Sequence, residues 1–188
     1  MKKFKISDIL LPVIVLTAIC LVTSGLLAYT NSLTAPIIEK NNIAAANATK
    51  AVVLAAAADF ADEAKDNISY SVGTDASGTV VGYVFTTTAK SYGGEISVMV
   101  GVNADGTVSG VELLSINDTP GLGMNAKNPN FLKQFVGKVA GIIVNKNEPA
   151  ENEIKALTGA TVTSKAVTEA VNKALADYAK ITGGVNND

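Results

Sequence analysis

Apolar and polar positions follow four different rules along this chain. Residues 9–29, ILLPVIVLTAICLVTSGLLAY, are 21 consecutive uncharged and mostly apolar positions. At about 1.5 Å per residue a helix of that length reaches roughly 30 Å, the thickness of a bilayer's hydrocarbon core. Pro12 lies near its start, where a helix tolerates proline best. Residues 30–42, TNSLTAPIIEKNN, then read as a turn-rich polar exit. Residues 43–64, IAAANATKAVVLAAAADFADEA, read as a helix, because alanine has the highest helix propensity.

From Asn67 the period changes to that of strands. ISYSVGTDASGTVVGYVFTTTA places strand formers on both sides of DASG, and GEISVMVGVNADGTVSGVELLSI repeats the arrangement around NADG. Two successive hairpins predict an antiparallel sheet of four or so strands. Residues 117–130, NDTPGLGMNAKNPN, form a fourteen-residue loop with two glycines, two prolines and four asparagines. Loops of that length inside a compact domain are often functional. FLKQFVGK is a short helix, VAGIIVNK a further strand and NEPAENE a polar turn. Val167, Ala170, Val171, Ala174, Leu175 and Tyr178 share one helical face, with Thr163 or Ser164 where an N-cap belongs. The predicted class is α+β. The cytoplasmic N-terminus is 1–8, the transmembrane helix 9–29, a juxtamembrane helical connector 30–66, the folded domain 67–182 and a polar tail 183–188.

Charge fixes an orientation. Lys2, Lys3 and Lys5 against Asp8 precede the apolar run, which places the N-terminus in the cytoplasm and the rest of the chain outside it. The alternative, a cleaved signal peptide, ordinarily carries a shorter apolar region of about 7–15 residues. Cys20 follows the bulky Ile19, which does not suit a lipoprotein site; it reads as a membrane-buried apolar side chain. All 15 basic residues are lysine, and there is no histidine. Beyond the apolar run, 12 lysines face 16 acids, net −4. A mildly acidic, arginine-free domain is a poor partner for nucleic acid. The single cysteine excludes an internal disulfide and thiolate-held metal in the exported part. No metal site and no acid–base dyad is expected, so no independent catalytic site is expected.

The chemistry concentrates in ALTGATVTSKAV, 156–167, where Thr158, Thr161, Thr163 and Ser164 surround Gly159-Ala160 just ahead of the last helix. A helix N-terminus offers unpaired N–H groups and favours an anion, and Gly159 admits close approach to the backbone. On these features two readings stand: a capped turn with nothing bound, or a phosphate site. A P-loop is absent. GLGMNA, 121–126, lacks the third glycine of a dinucleotide fingerprint. A hydroxyl nucleophile has only lysine or carboxylate as its base, and Glu151 and Glu153 sit in a polar turn, expected to be solvated.

LTGATVTSKAV resembles the flavinylation motif, Ser/Thr-Gly-Ala-Thr-x-Thr/Ser, of the FMN-binding domains in RnfG subunits of Rnf complexes and NqrC subunits of sodium-pumping quinone reductases. SYGGEISVMVGVNADGTVSGVELL is similar to that family's Gly-Gly hairpin, and NDTPGLG to its Glu-Thr-Pro-Gly-Leu-Gly loop. With the single membrane helix, the resemblance covers nearly the whole chain, and the length favours the Rnf subunit. It implies covalent FMN, attached as a phosphoester to Thr161 by a separate magnesium-dependent flavin transferase. It further implies that Thr158, Gly159, Ala160, Thr163 and Ser164 surround the phosphate. The isoalloxazine ring is then expected against Asp118, Thr119, Pro120, Gly121, Leu122 and Gly123 and the Gly93, Gly94 and Glu95 turn, with Leu122 as an apolar wall.

Two departures from the family pattern stand out. Lys155 replaces an aspartate three residues before the motif; if that acid helps the transferase, either Glu153 substitutes for it or modification is less efficient. Asp118 replaces a glutamate, a shorter carboxylate expected to leave a contact unmade.

The implied function is that of an electron carrier in a membrane-bound, ion-translocating ferredoxin:NAD⁺ oxidoreductase. Its expected partners are membrane and iron–sulfur subunits and the lipid bilayer, with the FMN domain on the outer side of a bacterial cell membrane. A free-standing anchored flavoprotein and a non-redox tethered interaction domain remain open alternatives.

Overall fold

The computed structural model describes residues 6–183; the start of the N-terminal segment and most of the polar tail lie outside them. The first element, α1 (Ile6–Val53), is one helix of 48 residues. Its stretch Pro12–Ala35 is long and apolar enough to cross a membrane. Large side chains such as Leu16, Leu21 and Leu27 stand exposed on its surface, more than half of each uncovered, an arrangement that lipid stabilises and water does not.

Residues 30–42, expected as a polar turn, are helical. Thr30, Ser32 and Thr34 donate their hydroxyls to carbonyls three or four residues earlier, so these polar residues are satisfied without leaving the helix.

The expected helix over 43–64 is also corrected. α1 ends at Val53, and Asp59–Lys65 is a strand, β1. It pairs antiparallel with β2 (Ile68–Thr74) from Asp59 opposite Thr74 to Lys65 opposite Ile68. Asp66 and Asn67 connect the two with φ of 52° and 62°, the left-handed pair that a two-residue hairpin turn requires. The sheet therefore starts eight residues before Asn67. It continues through β3 (Val80–Lys90), β4 (Glu95–Asn103) and β5 (Val108–Ser115) as an antiparallel meander in chain order.

Both expected hairpins are present, and their turns share one device. Asp75 accepts the N–H groups of Ser77 and Thr79, and Asp105 accepts that of Thr107. Gly78 and Gly106 supply the positive φ that closes each turn.

The loop over 117–130 is less irregular than expected: Gly123–Lys127 is a 3₁₀ turn, and α2 (Pro129–Leu132) follows. The strand expected over 139–146 shrinks to β6 (Ile143–Asn145). It pairs in parallel with β7 (Glu153–Lys155), which opens at the end of the expected polar turn. The last helix is α3 (Thr161–Thr182).

One face of the sheet packs on α3. Val167, Ala170, Val171, Ala174, Leu175 and Tyr178, the predicted stripe, are all buried in a core with Phe85, Ile96, Val98, Val100 and Val102. Thr87 Oγ1 donates to Ala170 O, and Tyr178 OH to Ala104 O.

The opposite face receives the end of α1. Gly101 and Gly110 face each other on β4 and β5, and a Cβ at Gly101 would lie 2.2 Å from Val53 O. Gly73 and Gly82 face each other on β2 and β3, and a Cβ on either would fall within 3.0 Å of the Leu54 side chain. Val53 and Leu54 are fully buried there, with Ser109 Oγ donating to Val53 O at 2.6 Å. Lys50 Nζ also reaches Asp62 Oδ1 at 2.6 Å, but the Asp62 side chain is 74% exposed. That pair contributes at most about 1 kcal/mol, whereas burying Val53 and Leu54 contributes roughly 1.5–3 kcal/mol each. Apolar burial holds the seat.

Candidate functional site

Three segments converge at the start of α3: the β3–β4 turn, the stretch from Asp118 to Gly123, and residues 159–163. Between them lies a cleft of about 470 Å³, lined by Asp118, Thr119, Leu122 and Gly123 on one side and Gly159 to Thr163 on the other, with Tyr92 at its edge.

The four motif hydroxyls divide sharply. Contrary to expectation, neither Thr163 nor Ser164 caps the helix: α3 begins at Thr161, and its N-cap Ala160 has no side chain to offer. Thr163 is buried and donates to Asp118 Oδ2 at 2.5 Å. Ser164 has no exposed surface; its Oγ accepts from Leu157 N and donates to Ala160 O, both at 3.0 Å. It braces the incoming chain behind the cleft and is not among the lining residues. Thr158 is exposed and borders a separate cleft with Asn128, Gln134 and Lys155. Thr161 is half-buried, lines the main cleft, and its hydroxyl has no hydrogen-bond partner among the described residues. The amides of Thr161, Val162 and Thr163 precede the first helical bond, Ser164 N to Ala160 O, so they present the positive end of α3 to the same space.

Asp118 ties the three segments together. Its carboxylate accepts from Ser91 Oγ, from Gly93 N at 2.6 Å and from Thr163 Oγ1 at 2.5 Å. The shorter side chain, expected to leave a contact unmade, thus bonds both segments that face it. Burial pushes the carboxyl upward, but the donors Ser91, Thr163 and Gly93 outweigh it and hold it below the ordinary carboxylate range.

Two glycines make this approach sterically feasible. A Cβ at Gly93 would lie 2.2 Å from Asn117 O, and one at Gly123 would lie 2.6 Å from both Asp118 Cβ and Thr163 Oγ1.

Of the other expected residues, Gly94 forms the β3–β4 turn, where its carbonyl accepts from Ser91 N. Glu95 opens β4 opposite Lys90. Pro120 and Gly121 are exposed on the loop between Thr119 and Leu122. None of these four lines the cleft, nor does Gly93.

Glu153, expected to be solvated or to stand in for the missing aspartate, is engaged in its own turn. It accepts from Asn145 Nδ2 and Ala150 N. Lys155 Nζ reaches Glu148. Sequence reasoning missed Tyr92, 77% exposed, and Val162, 54% exposed. Both are large apolar side chains beside a motif, and that adjacency was the available signal.

The FMN-binding domain family matches residues 91–176, and the RnfG N-terminal region matches residues 1–55. The chain is similar to the RnfG subunit of the Na⁺-translocating ferredoxin:NAD⁺ oxidoreductase complex of Acetobacterium woodii, 36% identical over 189 aligned residues. That match covers 90% of this chain and 91% of the relative. The corresponding subunit of the proton-translocating complex of Clostridium ljungdahlii is 34% identical, with the same coverage. In fold, the chain is similar to the NqrC subunit of the Na⁺-translocating NADH-quinone reductase of Parabacteroides distasonis. The TM-score is 0.53 at 24% identity, covering 63% of this chain and 65% of that one. Two relatives at 34% and 36% identity, each matched over nine tenths of the chain, place it in a family: the protein belongs to the RnfG family of ion-translocating oxidoreductase complexes.

Proposed function

We propose that the protein is the flavin-carrying electron-transfer subunit of a membrane-bound, ion-translocating ferredoxin:NAD⁺ oxidoreductase, with FMN esterified through its phosphate to Thr161 Oγ1. The observation that carries this reading is the division among the four hydroxyls. Of these four, Thr161 alone both lines the cleft and lacks a hydrogen-bond partner among the described residues. The relatives, named as subunits of ferredoxin:NAD⁺ oxidoreductase complexes, support the circuit, and the FMN-binding domain match supports the cofactor.

The residues present fit such a group. A cleft of about 470 Å³ falls within the roughly 300–1,000 Å³ of small-molecule sites. The three free amides at the start of α3 suit a phosphate, while Leu122, Val162 and Tyr92 offer apolar surface to an aromatic ring. FMN supplies reversible electron chemistry when bound; the protein supplies position and electrostatics.

The link itself answers the chain's composition. With no arginine or histidine, a phosphate clamp would rest on lysines and backbone N–H groups, and no lysine lines the cleft. An ester to Thr161 holds the group regardless of noncovalent affinity. It also prevents loss on the outer face of the membrane, where lysines at the N-terminus orient the domain and no cytoplasmic flavin pool can refill the site.

Thr161→Val, expressed with a flavin transferase, should give a folded protein whose denatured gel band has lost flavin fluorescence. Fluorescence persisting in that band contradicts the assignment. Purification from native membranes should bring several hydrophobic and iron–sulfur subunits with the chain, and recovery of the chain alone favours the free-standing flavoprotein.

A further inference from the structure

Asp118 is the one buried carboxylate among the described residues, and no cation answers it. The ion pairs there join Lys50 to Asp62, Lys155 to Glu148 and Lys180 to Asp177. Among the described residues, Asp118 is also the only charged one lining the cleft. Removing an ion from water costs several kcal/mol unless it is compensated. Here Ser91, Gly93 and Thr163 compensate it by hydrogen bonds alone.

The fold requires three hydrogen bonds at this point, and a neutral side chain of the same shape can make them. An asparagine could accept from Gly93 N–H and donate its amide to the hydroxyls of Ser91 and Thr163, which can reverse their roles. A buried charge in the wall of a cleft also acts on whatever occupies that cleft.

We propose that Asp118 is a positioning and tuning residue: its buried, cation-free carboxylate lowers the midpoint potential of the flavin carried on Thr161, while its hydrogen bonds hold the three walls of the cleft together. This rests on the reading that FMN occupies the cleft. A fixed negative charge disfavours every electron added to a nearby ring, and a water-poor surround strengthens that effect. Asp118, 3% exposed and enclosed by the buried Ser91 and Thr163, lies in such a surround. The covalent link makes the arrangement workable, since a carboxylate that opposes an incoming phosphate cannot empty a site whose ligand is esterified.

The test compares the full-length flavinylated wild type with Asp118→Asn and Ser91→Ala by spectroelectrochemical titration at pH 8. Asp118→Asn removes the charge and keeps the shape, so its potential should shift upward. Ser91→Ala removes one donor and keeps the charge, so its potential should stay at or below that of the wild type. A loaded Asp118→Asn protein with an unchanged potential overturns the inference. So does a rise of equal size in both variants, which marks a merely structural role. Should Asp118→Asn fail to fold, Ser91→Ala and Thr163→Val decide: a rise in either, with the carboxylate still present, contradicts the charge account. A wild-type protein that carries no covalent flavin defeats instead the reading of Thr161 on which this one stands.

Discussion

Two places in this molecule bring main chain and glycine close together, with opposite results. On the sheet face turned to α1, Gly73, Gly82, Gly101 and Gly110 make room that Val53 and Leu54 fill completely. At the start of α3, a Cβ on Gly159 would meet only the tip of Leu122, and one on Gly121 would meet nothing. The seat under α1 is closed because its surfaces match one another. The cleft stays open because its walls, tied through Asp118, are satisfied among themselves and leave Thr161 without a partner. Packing explains the first region. The second has a hydroxyl, three amides and apolar surface left over after packing, and that surplus marks a site.

Substitutions should separate the two. Gly101→Val forces a side chain onto Val53 O and Ser109 Oγ, contacts of 2.2 and 2.4 Å for the Cβ alone. A loss of about 3 kcal/mol is expected, read as a lowered midpoint in denaturant unfolding, with flavin still attached to whatever protein folds. Ser164→Ala strips Leu157 N–H of its acceptor and should cost about 1–2 kcal/mol. Flavin should remain on Thr161, because Ser164 braces the motif and does not carry the group. Loss of the flavin in a stably folded Ser164→Ala protein would erase the distinction between the hydroxyls.

The smallest effect concerns pH. A carboxyl held low in the folded state stabilises above its unfolded value, near pH 3.9, and that stability is lost as pH falls through the folded value. Asp118→Asn should therefore make acid unfolding of the flavin-free protein shallower below about pH 4. It should not abolish the acid limb, because Asp75 and Asp105 are also held low, by their turn hydroxyls and amides. An acid limb unchanged by the substitution would show that Asp118 is not held low.

What can be read from the chain follows from how local each signal is. The Asp75 and Asp105 turns, the buried stripe of α3 and the hydroxyl motif each lie within a few residues, and each is legible. β1 is not, because DFADEAK next to an alanine run carries helical propensity, and only pairing with β2 makes it a strand. The Asp66-Asn67 turn is its one local clue. α1 reads as broken at 30–42 because its hydroxyls suggest a turn when their bonds back along the helix are ignored. The motif points to the right place but not to the division of labour. Thr163 and Ser164 look like caps in sequence, and only contacts with Asp118, 45 residues away, and with Leu157 reveal that they are committed elsewhere. Asp118 looks like a shortened, weakened glutamate until its three donors are in view.

The central claim is a single covalent bond, and peptide mass spectrometry of protein from its native membranes tests it most directly. The tryptic fragment 156–165 should carry the mass of FMN less one water, and fragmentation should place that increment on Thr161. An unmodified fragment, or an increment on Thr158, Thr163 or Ser164, would contradict the account.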